Sequence, residues 1–151
     1  MLGELTKNEI EHILGNQYIG RIACCEENVP YIVPVTYCYD SNSDCIIGHS
    51  GSGRKIDILR KNPLVTFEVE DIKDLSNWKT VICTGYFEEL AGIDARNSLH
   101  IFVERTRALL NMKNHHGTQF LKDLSHASLL KSEKIIYRIK LDTSTGKFER
   151  N

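Results

Sequence analysis

Turn-forming residues cut this chain into short β-patterned runs, and that punctuation limits the fold more than any other feature. Residues 18–25 and 31–39 read as strands separated by the turn-like Glu27-Asn28-Val29-Pro30, and Asp40-Ser41-Asn42-Ser43 precedes a third run over 44–49. Residues 64–70 alternate as a fourth, 71–77 form a polar connection, and 78–90 make a long fifth run with Gly85 inside it. A glycine inside a strand marks a bulge or a close backbone approach. Residues 134–141 alternate Ile135, Tyr137, Ile139 and Leu141 against Ile136, Arg138 and Lys140, a sixth strand. Pro34 lies inside the second run, and because proline cannot donate to a ladder it predicts an edge, a bulge or a break in pairing.

Helical signals are fewer. Thr6-Lys7-Asn8-Glu9 has the capping-box form, with Ile10, Ile13 and Leu14 following at helical spacing and Gly15 as the stop. A short helix carries Ile56, Leu59 and Arg60 and ends at Asn62-Pro63, because the residue before proline avoids the helical region. A longer helix spans about 93–112, and a weak periodicity around Phe120, Leu121 and Leu124 predicts a further turn. Six strands with helices between and after them argue for a mainly β protein, an antiparallel sheet or barrel with accessory helices.

At 151 residues the chain suits a single domain over 1–151, large enough to fold without disulfides or structural metal. Nineteen basic against twenty acidic residues give a net charge of −1, so no long-range field favours nucleic acid or an anionic membrane, and any anion site must be local. No run of about 18 apolar residues spans a bilayer, and the amino-terminus lacks the features of a signal peptide; a cytoplasmic protein is expected. The five cysteines are odd in number and form no CxxC pair, which reads as small buried hydrophobes. Cys45 and His49 stand too far apart along one strand to share an ion, and no metal site is expected.

The stretch richest in chemistry runs from Ile47 to Asp57. A strand ending in His49 delivers Ser50-Gly51-Ser52-Gly53, which opens a helix beginning Arg54-Lys55. Backbone N–H groups and the positive dipole end of a helix make an anion site, to which serine hydroxyls add donors and Arg54 and Lys55 add charge. The order is neither a Walker A loop nor a dinucleotide fingerprint, so either a phosphate site or an ordinary turn fits these residues. Trp78 at the start of a strand reads as a lid or interface residue, and His100, His115 and His116 read as surface histidines.

Taken in order, Gly20-Arg21-Ile22-Ala23, residues 29–37, His49-Ser50 with Gly53-Arg54-Lys55, residues 59–67, and Trp78-Lys79-Thr80-Val81 with Gly85 resemble the flavin-binding split-barrel family related to pyridoxamine 5′-phosphate oxidase, most of all its Nim-type, nitroimidazole-resistance branch. The resemblance is good over about 5–90 and loose beyond. It implies a six-stranded Greek-key split barrel and a homodimer with flavin at the interface. By that similarity Val35, Thr36 and Tyr37 approach the isoalloxazine ring, Ser50, Gly53, Arg54 and Lys55 hold the phosphate, and Trp78, Thr80 and Val81 reach the flavin, from the partner subunit if not their own. His49 matches a histidine close to the flavin and is the expected catalytic residue. The segment 142–151 lacks the arginine-rich end that pyridoxamine phosphate oxidases place over substrate, so that oxidation is not expected.

The function so implied is an FMN-dependent (alternatively FAD-dependent) oxidoreductase taking electrons from a reduced nicotinamide and passing them to a small electron-poor acceptor such as a nitro-aromatic. A non-catalytic flavin-binding protein, for storage or redox sensing, needs the same pocket. A haem-binding split barrel, with His49 or His100 on iron, is the third alternative.

Overall fold

The capping box forms as its residues require: the Thr6 hydroxyl accepts from the Glu9 N–H at 3.3 Å, and the Glu9 carboxylate accepts from the Thr6 N–H at 2.7 Å. From this start a computed structural model, describing residues 1–117, 119, 121–122 and 134–151, runs through seven strands and three helices. They are β1 (Leu2–Glu4), α1 (Lys7–Asn16), β2 (Ile19–Glu26), β3 (Val29–Asp40), β4 (Cys45–Ser50), α2 (Arg54–Lys61), β5 (Leu64–Asp74), β6 (Asn77–Leu90), α3 (Gly92–Lys113) and β7 (Ile135–Glu149). Of the helical turn expected around Phe120, Leu121 and Leu124, Leu121 is helical and buried, and the other two lie outside the described residues.

All pairings are antiparallel, in the order β1-β7-β4-β3-β2-β5-β6, and β6 pairs again with β7. That last pairing closes β2 to β7 into the expected six-stranded barrel, with the short β1 added on β7 as a seventh strand. The β2–β3 turn is Glu27-Asn28, with φ of 51° and 64°. Two consecutive left-handed residues make the two-residue turn whose twist suits a hairpin, so β3 starts at Val29. The polar connection expected over 71–77 shrinks to Leu75 and Ser76. The Asp74 carboxylate accepts from the Ser76 N–H at 2.8 Å and from the Asn77 amide at 3.0 Å, and so shapes the turn.

The largest departure from the sequence pattern is β7. Residues 142–149 do not alternate, yet they pair with β6 from Thr84↔Thr143 to Trp78↔Glu149, and Lys147, Phe148 and Glu149 also pair with β1. Ladder hydrogen bonds to β6, joined by those to β1 at 147–149, outweigh an indifferent side-chain pattern.

Inside the barrel Ile22, Phe67, Val69, Val81, Tyr137 and Ile139 are fully buried, and α1 contributes Ile10, Ile13 and Leu14 to the same core. A second, smaller core packs Leu99, Phe102 and Val103 of α3 on Cys38, Ile47 and Ile136. Cys24, Cys38, Cys45 and Cys83 are buried as small apolar groups, while Cys25 is half-buried. Gly85 meets its expectation: the β6–β7 register shifts there, and a Cβ on it would stand 2.3 Å from the Lys140 carbonyl oxygen. Gly85→Ala must therefore displace a backbone in the closing ladder. It should lower stability by about 1–3 kcal/mol, read as a drop in urea midpoint at unchanged m-value.

Candidate functional site

β3 has different neighbours along its length. Among the described residues, 29–36 pair with β2 alone, and pairing with β4 begins at Tyr37↔Gly48. The Tyr37 N–H donates to the Tyr18 carbonyl at 3.0 Å, so the odd-numbered positions of this half direct their N–H groups at β2. The alternate positions, facing away from β2, include Pro30 and Pro34, which have no N–H to offer. Pro34 thus marks an edge, as its chemistry predicts, and the edge is closed to further strand pairing there.

Where β3 and β4 part lies a cleft of about 300 Å³, lined by Pro34, Val35 and Thr36 on one side and by His49, Ser50, Gly51, Lys55 and Lys134. α2 starts beside it. Its N-cap, Gly53, supplies no side-chain acceptor, so the first-turn N–H groups are left to solvent or a ligand. A Cβ on Gly51 or Gly53 would meet nothing within 4 Å; the loop is bordered by open space. Ser50 is half-buried, and its hydroxyl donates to the Gly51 carbonyl at 2.7 Å.

The His49 ring is half-buried and stands edge-on to Phe102 of α3, with centroids 5.3 Å apart. Burial first, then the charges of Lys134 and Lys55, push its pKa down to about 4, so it is a neutral imidazole at pH 7. Burial also lowers the pKa of Lys55.

The structure brings Val35, Thr36, His49, Ser50 and Lys55 together. Gly53 and Arg54 stand exposed at the start of α2, and the Arg54 guanidinium lies over the Tyr31 ring, 4.8 Å from its centroid. Tyr37 does not present its side chain to the cleft. Its ring is fully buried edge-on to Phe67, and its hydroxyl donates to the Leu14 carbonyl at 2.7 Å, a bond that ties β3 to α1.

Trp78, Thr80 and Val81 form no part of the cleft in this chain. Val81 points into the core. The Thr80 hydroxyl donates to Glu68 at 3.1 Å, and Arg21 bridges Glu68 and Glu70 at 3.4 and 3.1 Å. The Trp78 indole N–H donates to Glu149 at 3.1 Å, in a separate depression bordered by Phe148 and Arg150. His100 is exposed on α3. His115 is more engaged than its loop position suggested, with Nδ1 2.7 Å from the Tyr18 hydroxyl. Lys134 is the cleft residue that the sequence reading missed. It precedes β7 with no motif around it, and only the register Ser50↔Ile135 brings it to the glycine loop.

The chain is similar to several known proteins. A family model described as pyridoxamine 5′-phosphate oxidase matches residues 6–147. An uncharacterised protein of Rhizobium meliloti is 34% identical over 86 residues, which span 57% of this chain and 56% of that one, so the match covers about half of the relative's length. Among solved structures, an FAD-binding protein from Mesorhizobium loti superposes with a TM-score of 0.75 at 24% identity, covering 98% of both chains. A candidate 5-nitroimidazole antibiotic resistance protein from Bacteroides thetaiotaomicron gives 0.69 at 20% identity, covering 98% of this chain and 87% of the other. An FAD and heme binding protein from Mycobacterium smegmatis gives 0.72 at 13%, covering 99% and 74%. At these identities the superpositions establish the split-barrel fold. No described helix is long and apolar enough to cross a membrane.

The cleft makes one pH prediction. Because the fold lowers the His49 pKa from 6.5 to about 4, the unfolded chain takes up a proton first as pH falls. The His49 contribution to stability is complete above pH 6.5 and lost as pH falls towards 4. His49→Gln should flatten that part of the curve, measured as urea midpoints at pH 7.5 and pH 5.

Proposed function

The chain belongs to the pyridoxamine 5′-phosphate oxidase family, and on that footing we propose that it binds a flavin in the cleft between β3 and β4 and uses it as an oxidoreductase. The observation that carries this reading is Lys55, half-buried at the uncapped start of α2 and facing the cleft where the strands part. A phosphate suits that donor set: backbone N–H groups, an ammonium and the Ser50 hydroxyl, with Arg54 beside them. FMN carries one such phosphate and is the reading preferred here; FAD is the alternative, in keeping with the FAD-binding proteins that share the fold.

When bound, the flavin supplies the ring that accepts and passes on electrons, and the protein's part is to hold it, shield it and set its surroundings. Thr36, whose backbone N–H faces away from β2, offers the edge of β3 to a planar polar ring, with Val35 beside it in the cleft wall. His49 enters the cleft neutral, so its ring offers a bound molecule a neutral donor or acceptor rather than a fixed charge. That suits a small electron-poor acceptor such as a nitro-aromatic, with a reduced nicotinamide as the electron source. His49 is the catalytic residue of this reading.

A homodimer completes the proposal, because Trp78 and Thr80 reach the flavin only from a second copy. Support comes from the outward positions Ile19, Ile72 and Ile82, which are exposed around the Arg21, Glu68 and Glu70 cluster. Ile82→Glu should shift sedimentation towards a monomer and weaken flavin uptake with it.

Fluorescence titration of the protein with FMN and FAD is the direct test. Lys55→Ala should cost about 1.5–3 kcal/mol of flavin affinity through the lost charged hydrogen bond, and undiminished affinity would reduce the loop to a turn. Stopped-flow mixing with a reduced nicotinamide then separates an enzyme from a storage or sensing protein. His49→Ala should keep its flavin and lose turnover; an unchanged steady-state rate would remove His49 from the chemistry.

A further inference from the structure

Two ammonium groups from different elements face one cleft: Lys55 from α2 and Lys134 from the residue before β7. No carboxylate is among the cleft's described lining residues. Ion pairs elsewhere engage Arg21, Arg60, Lys61, Arg105, Arg107 and Arg138, but among the described residues neither Lys55 nor Lys134 takes part in one. Lys134 also borders a neighbouring depression that contains Glu89, and that carboxylate is held in two hydrogen bonds by Arg60, at 3.0 and 2.8 Å. In a chain of net charge −1, this cleft is a local positive site.

The two cations are not equivalent. Lys55 stands with the N–H groups of α2, a set that suits a cofactor phosphate. Lys134 lies outside that helix start and reaches the cleft beside His49. We propose that Lys134 is a specificity-determining residue, pairing with a carboxylate on the second molecule that enters beside the cofactor, so that the cleft prefers acidic acceptors to neutral ones of the same shape. This rests on the flavin reading for the meaning of "second molecule", and the test separates the two.

The probes are para-nitrobenzoate and the uncharged nitrobenzene. Their affinities are read by flavin absorbance in the FMN-loaded protein and, independently, by NMR shifts of the His49 ring in cofactor-free protein. The wild type should bind the carboxylate about fivefold more tightly at low salt, a preference that added salt erodes, as for a partly exposed ion pair. Lys134→Gln should abolish the preference and cost less FMN affinity than Lys55→Gln does, because Lys134 lies outside the helix start that suits the phosphate. A preference that survives in Lys134→Gln, or is missing from the wild type in both assays, overturns the assignment. So does a Lys134→Gln protein that loses FMN as Lys55→Gln does, which would place Lys134 with the phosphate. A wild type that takes up no FMN refutes the flavin reading alone, because the His49 shifts still report on the carboxylate.

Discussion

The site in this barrel depends on β3 changing its neighbour along its length. Among the described residues it pairs with β2 up to Thr36 and with β4 from Tyr37. Tyr37 holds the fork. Its N–H is bonded to Tyr18, its hydroxyl to Leu14 of α1, and its ring is buried against Phe67. The separation of β3 and β4 is thus built on a fixed point in the core, and one wall of the cleft inherits the rigidity of the sheet. Binding residues carried on such an element are held more precisely than those on a free loop.

Electrostatics sharpen what the shape begins. Burial against Phe102 and the nearby Lys55 and Lys134 all oppose a charge on His49. A positive cleft therefore contains a neutral imidazole: the lysines attract anions, while the histidine offers hydrogen bonding without adding to the field. Glu89, which shares a neighbouring depression with Lys134, is engaged by Arg60 instead.

Much of the candidate site was legible because its residues are contiguous. Ser50 and Lys55 fall in one strand-loop-helix unit whose helix-start chemistry points to an anion site, whereas Val35, Thr36 and His49 are pointed to by the resemblance to the flavin-binding split-barrel family. Tyr37 shows the limit of that reasoning. It is adjacent to Thr36, but the alternation of the strand turns its ring into the core. Trp78 and Thr80 show another: they lie on the outer surface of β6, where a single chain gives them Glu149 and Glu68 as partners rather than the cleft.

What the sequence determined by itself is whatever depends on neighbours a few residues apart. The capping box at Thr6, the short helix stopped at Asn62-Pro63, the edge at Pro34, the close approach at Gly85 and the mainly β architecture all belong to that class. The tertiary structure decided what depends on distant partners. It made a strand of residues 142–149, because β6 offers backbone hydrogen bonds along that stretch, and β1 adds a second partner at 147–149, with no need for apolar alternation. It brought Lys134 to His49 through the β4–β7 register, across 85 residues of chain that leave no local trace of the contact.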